Sequence, residues 1–157
     1  MKRKSDQWSY YPFIGPIQNQ LGIQITKETK MGQKLYFVEL RHKETGKIIN
    51  KIGVTHSKDV QNRFTPGYPE REGYSWFDIK VLFSMFFKRD SDAEQQEKDY
   101  LGRFPKCDIN EYLGQNLIEE KFTHKNMSGI SELRLLSSEE RSQFLWKLHA
   151  DKRELKR

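Results

Sequence analysis

The chain holds a single cysteine, Cys107. It can therefore build neither an intrachain disulfide framework nor a cysteine-rich metal centre, and a reducing compartment is expected. No apolar run approaches the length that spans a bilayer. No hydrophobic stretch follows Met1-Lys2-Arg3-Lys4-Ser5-Asp6-Gln7, so no secretory signal is expected and a cytoplasmic location is. Glycines do not form a phosphate loop or a dinucleotide fingerprint. His42, His56, His124 and His149 are scattered, without zinc-motif spacing to Cys107. There is no internal repeat or low-complexity tract.

What is present fits one domain with decorated ends, in a chain of 157 residues. Such a chain is long enough for a core without metals or disulfides. Lysine plus arginine number 28 against 22 acidic residues, a net charge of +6. A basic surface suits a polyanion, and also serves plain solubility. Residues 1–30 read as an arm with Trp8, Tyr10, Tyr11, Pro12 and Pro16, expected to pack on the core; contact with a partner is the alternative. Residues 31–150 form the domain proper. Residues 151–157 are expected to be a frayed basic tail.

Periodicity sets out an α+β chain. Residues 35–42 and 47–55 predict a hairpin closed by Lys43-Glu44-Thr45-Gly46, with Gly46 in the left-handed region. Asp59–Phe64 predicts a short helix, ended before Pro66 and Gly67; 65–75 reads as loop. From Phe77 to Phe87 the odd positions are Phe, Ile, Val, Phe, Met and Phe, which predicts a strand with one buried face. Leu82 and Phe86 suggest that its other face is partly covered. A helix is expected from Ser91, with Ser91 and Glu94 spaced as a capping box, to about Phe104 before Pro105. Short helices are expected near Asn110–Leu113 or Asn116–Lys121, and a last strand at Glu132–Leu136. Ser137 and Glu140 repeat the capping-box spacing ahead of a helix that presents Phe144, Leu145 and Leu148 on one side.

One carboxylate sits where a carboxylate is costly. On the helix after Ser91, residues Ala93, Glu97, Tyr100, Leu101 and Phe104 share a face. Glu97 falls mid-stripe, where it needs an ion pair, a hydrogen bond or a metal. An ion pair across the sheet is the structural explanation; a carboxylate facing a cleft is the functional one.

The hairpin and the helices around it resemble the GIY-YIG endonuclease superfamily, in particular its phage-related subgroup with a KIG-x-T second motif. Leu35-Tyr36-Phe37 stands at the first motif and Lys51-Ile52-Gly53-Val54-Thr55 at the second. Arg63 matches the family arginine and Glu97 the family glutamate. Gly129-Ile130-Ser131-Glu132 resembles a late glycine–glutamate segment. The resemblance covers residues 32–104, and 129–140 more weakly. It implies a three-stranded antiparallel sheet flanked by helices, and a DNA endonuclease dependent on Mg²⁺ or Mn²⁺.

The resemblance also implies roles. Glu97 would bind one divalent ion, and Arg63 would hold the scissile phosphate through its planar fork. Tyr36 would position or deprotonate the water. An unperturbed tyrosine is a poor base at neutral pH, and Lys51 on the neighbouring strand is the expected helper. Gly53, Thr55 and Glu132 would support the site, Thr55 by capping the short helix. Arg41, Lys58 and Arg71 are expected to contact DNA. The chain departs from the family pattern in lacking the glycine before Tyr36, in carrying Lys51 for the second tyrosine, and in offering Asn110, Asn116 and Asn126 without a clear match to the late asparagine. A DNA-binding or protein-interaction module that has lost cleavage is therefore the alternative, and a regulator acting through the aromatic arm a third reading. A homodimer cutting both strands is compatible with the pattern.

Overall fold

The structure is a computed structural model that describes residues 32–114 and 121–155. The aromatic arm (1–30), Asn116 and the last two residues of the tail lie outside the described residues. The fold is α+β, with one antiparallel sheet between layers of helices. The sheet comprises β1 (Gln33–His42), β2 (Ile48–Thr55), β3 (Phe77–Phe87) and β4 (Leu133–Arg134), in the order β3-β1-β2-β4. It thus has four strands where the resemblance implies three, the fourth lying within the last strand expected at Glu132–Leu136. The fourth is only two residues long, pairing Lys51 with Leu133 and Asn50 with Arg134. The helices are α1 (Asp90–Leu101), α2 (Ile109–Leu113) and α3 (Ser138–Leu155). Among the described residues no helix is long and apolar enough to cross a membrane.

The hairpin forms as its sequence dictates. Gly46 takes φ +75 at the turn, and the register sets Tyr36 opposite Gly53 and Val38 opposite Lys51. Directly opposed residues share a face of an antiparallel pair, so Tyr36, Gly53 and Lys51 point the same way. Tyr36, Val38, Leu40 and Ile49 build one core with Val60, Phe64, Tyr74 and Met127. Leu35, Phe37 and Ile52 build another on the opposite face with Ala93, Tyr100, Phe144 and Leu148.

The sheet therefore buries both faces, which corrects the one-sided reading of β3. Phe37 pairs with Phe83 while Val38 pairs with Val81, leaving Leu82 as the extra residue of a β-bulge. Before the bulge, Phe77, Ile79 and Val81 pack into the first core. After it, Phe83, Met85 and Phe87 pack into the second, where Leu82 joins them. A run of alternating residues that looks like one apolar face is in fact two half-faces of opposite sense. Phe86, expected to be covered, is 52% exposed.

Other local readings meet mixed outcomes. Ser137 and Glu140 form the reciprocal box: Glu140 N donates to Ser137 Oγ at 3.1 Å, and Ser137 N donates to Glu140 Oε1 at 2.8 Å. The box at Ser91 does not form. α1 begins one residue earlier, its N-cap is Arg89 without a side-chain bond, and Glu94 is exposed. Acidic Asp90 and Asp92 occupy its first turn, where the helix dipole favours them. The segment read as loop contains a 3-10 helix, Pro69–Trp76. The last helix continues through residues expected to fray, because Asp151 accepts from Tyr100 Oη at 2.6 Å and Lys152 Nζ donates to Ser84 O at 3.1 Å. Phe144 sits at the centre of the second core, edge-on to Phe37, Tyr100 and Phe104 at ring separations of 5.0, 5.2 and 5.2 Å.

Candidate functional site

The first core has an ammonium in it. Lys51 is fully buried on β2, and an unpaired charge there would cost several kcal/mol, roughly. Two oxygens answer it. Lys51 Nζ donates to Tyr36 Oη at 2.8 Å and to Glu132 Oε1 at 2.5 Å. The ammonium also lies 5.1 Å from the centroid of the Tyr36 ring. Burial works to lower the Lys51 pKa, but Tyr36, Tyr74 and Glu132 together outweigh burial and the opposing Arg63, and the ammonium is held above its ordinary value. Lys51 is thus a fixed cation, not a proton donor at neutral pH.

Two glycines make room for this network. A Cβ on Gly53 would stand 2.4 Å from Tyr36 Oη and 2.9 Å from Lys51 Nζ. The tyrosine ring occupies the space a side chain would take on the opposing strand, and that lets it lean diagonally toward the lysine. A Cβ on Gly129 would meet both Lys51 Nζ and Glu132 Oε1 at 2.9 Å. The late Gly129–Glu132 segment and the second motif therefore close on the same ammonium, although 78 positions separate Lys51 from Gly129 (129 − 51).

Glu97 completes the cluster from α1. Of its expected neighbours on the stripe, Ala93 and Tyr100 are buried and Leu101 packs against the second core; the helix ends at Leu101, not near Phe104, so Phe104 reaches the same core from the turn that follows it. Its Oε2 is buried without a hydrogen-bond partner. Burial first, then the charge of Glu132, push the Glu97 carboxyl up to about 7, with Lys51 opposing and Glu94 adding to the rise. A side-chain hydrogen bond with Glu132 also favours the protonated form. Glu97 and Glu132 are thus two carboxyl groups in one place, and only Glu132 has an ion-pair partner among the described residues. The ion pair offered as the structural explanation of Glu97 belongs to its neighbour.

Arg63 borders the same cluster. It leaves the 3-10 helix Val60–Phe64 half-buried and donates from Nη2 to Ser128 O at 3.3 Å. Its charge is felt by both Lys51 and Tyr74. Tyr74 was not singled out in the sequence, where it lies in a stretch read as loop. It is buried, donates its hydroxyl to the same Ser128 carbonyl, and has its pKa pushed up to about 12 by burial, against the pull of Lys51 and Arg63. Only the tertiary fold brings it here; nothing in its local pattern marks it.

The remaining candidates lie elsewhere. Thr55 does not cap the short helix: its Oγ1 accepts from Ser57 N at 3.1 Å, while Asp59 Oδ1 caps the helix through Gln61 N at 3.0 Å. Arg41 is exposed near the hairpin turn, 3.8 Å from Glu39, and Lys58 is exposed at the other end of the hairpin. Arg71 donates to Asn62 O at 3.1 Å and stacks on Tyr68. Asn110 is committed to Phe122 through both its amide atoms, and Asn126 to Thr123 and Lys121. His56 pairs with Asp90 at 2.9 Å. His42 is buried, with its pKa lowered by burial against a smaller opposing effect of Glu44.

The cluster has a buried floor and an accessible rim. Tyr36 and Lys51 are closed to solvent, whereas Glu132 retains 28% side-chain exposure and Arg63 and Glu97 are partly exposed. Among the described residues no group of three or more His, Cys, Asp and Glu side chains could hold a metal, so an all-protein cage is not the arrangement on offer. Glu97, with an orphaned buried oxygen, and its neighbour Glu132 are the described residues that would fit a hard ion keeping most of its waters. The chain matches no protein-family model, no curated protein and no solved structure in the comparisons made with each.

Proposed function

We propose that the chain is a divalent-metal-dependent DNA endonuclease of the GIY-YIG kind. The observation that carries this reading is the unpartnered Glu97 oxygen beside Glu132, bordered by Lys51 and Arg63. Glu132 has a structural role as the partner of Lys51; Glu97, crowded against it with no ion pair of its own among the described residues, costs the fold stability, and a cation would offset that cost. Glu97 would hold Mg²⁺ or Mn²⁺, which when bound supplies Lewis-acid stabilisation to the phosphate. Arg63 contributes a planar fork for a non-bridging phosphate oxygen. Lys51 orients Glu132 and Tyr36, and its fixed positive charge favours any negative charge that develops on the tyrosine oxygen. Because Tyr36 is buried, substrate meets Arg63, Glu97 and Glu132 first. Tyr36 acts on the attacking water only once the bound substrate opens a path to its hydroxyl.

That closure is also what favours the alternative, a DNA-binding module without cleavage. The two readings separate on one experiment. Supercoiled plasmid is incubated with the full chain and Mg²⁺ or Mn²⁺, beside Glu97→Ala protein shown to be folded. Nicking that needs the metal and is lost in the variant is the expected result. Nicking that survives the substitution overturns the role of Glu97, and binding without nicking on any DNA tested selects the module.

A further inference from the structure

Five residues after Arg63 the surface carries an aromatic that lies outside both cores. Tyr68 is 54% exposed, yet its backbone is restrained by Pro69, which follows it at the start of the 3-10 helix. The Arg71 guanidinium lies 4.6 Å from the centre of its ring and is tethered by a 3.1 Å bond to the carbonyl of Asn62, the residue next to Arg63. The helix that carries Arg71 is itself pinned to the loop of the candidate site. Ser128 N donates to Glu70 O at 2.8 Å and Gly73 N donates to Asn126 O at 2.6 Å. The Ser128 carbonyl in turn accepts from Arg63 and from Tyr74. The Tyr68–Arg71 pair is thus tethered to the segment that carries Arg63.

An exposed aromatic in a rigid setting, with a cation against its ring, is the arrangement that stacks nucleobases. A base inside a paired duplex has both faces covered by its neighbours. We infer that Tyr68 and Arg71 form a stacking site for an unpaired nucleobase neighbouring the phosphate at Arg63, so that the chain prefers DNA with a locally unpaired nucleotide. This inference rests on DNA being the ligand, but not on cleavage. Stacking on an aromatic side chain is worth roughly 5- to 150-fold in affinity per base.

The test uses the full chain in EDTA, which keeps DNA intact. Fluorescence anisotropy measures binding to a fully paired duplex and to the same duplex with one unpaired 2-aminopurine, whose emission reports stacking. Native protein is expected to favour the unpaired DNA by at least about 5-fold and to quench the 2-aminopurine. Tyr68→Ala should abolish both the preference and the quenching while leaving affinity for the paired duplex within about 2-fold. Tyr68→Phe, which keeps the ring, should retain them. Because Tyr68 lies outside both cores, thermal unfolding of the variants should match the native protein. Equal binding of both DNAs by native protein, or a preference that survives Tyr68→Ala, overturns the inference and leaves the DNA reading standing. Absence of binding to either DNA overturns both.

Discussion

Replacing Glu97 with glutamine should make the metal-free protein more stable at pH 8, an unusual outcome for a candidate catalytic residue. The carboxyl is raised from 4.5 to about 7, by burial first and by Glu132 second. A carboxyl raised in the folded state stabilises the fold only while it is protonated. That contribution is complete below the unfolded value and is lost as pH climbs through the folded one. Fully enclosed, a group so displaced would represent about 3 kcal/mol. Glu97 is partly exposed, and solvent screening leaves about 1–2 kcal/mol. Glutamine keeps the shape, and its amide can donate to Glu132 at every pH as the protonated acid does below 7. Urea unfolding in EDTA from pH 5 to pH 9 checks this. With a slope of about 2 kcal/mol per molar, the glutamine variant should unfold roughly 0.5–1 M later than native protein at pH 8 and converge with it near pH 5. Excess Mg²⁺ should raise the native midpoint at pH 8 and leave the variant unmoved. Equal midpoints at pH 8, or a native curve no steeper in pH than the variant's, would refute the crowded-carboxylate account.

Three further substitutions probe separate parts of the fold. Gly53→Ala places a methyl in the space held by the Tyr36 hydroxyl, so it should cost about 1–3 kcal/mol in urea unfolding and abolish any nicking. Phe144→Ala removes the ring on which Phe37, Tyr100 and Phe104 converge, and calorimetry should register a loss of about 3–5 kcal/mol with Glu97 titration unchanged. Ser137→Ala breaks the one capping box that forms; about 1 kcal/mol should go, visible as an earlier thermal midpoint by circular dichroism.

The sequence reveals elements better than it reveals pairings. The hairpin, the placement of Glu97 and the box at Ser137 are all set by contacts within a few residues, which is why they can be read directly. The box at Ser91 fails although its spacing is the same, because Asp90 and Asp92 already face the positive end of the helix and Arg89 reaches Asp92. β3 misleads for a different reason: alternation cannot show at which residue a strand changes faces, and the bulge at Leu82 is fixed by its neighbour β1. At the site, the resemblance suggests Lys51 as the helper of Tyr36, but the register that brings them together cannot be read from the hairpin sequence. The contact of Glu132 with Lys51, and the arrival of Tyr74 at Ser128, depend on segments far apart in the chain and leave no local mark.

The bulge at Leu82 also ties the two halves of the protein together mechanically. The first part of β3 belongs to the layer that carries Arg63 and Tyr74, and the second part to the layer of α1 and α3. One backbone is therefore common to both. Loosening either layer frees half of a strand whose other half is still clamped, and the ladder with β1 must tear across its middle to allow it. Amide exchange along β1 should accordingly report a single opening event for both ends of the strand. A pull applied at the C-terminal helix would then be felt at Arg63 through twist of the sheet.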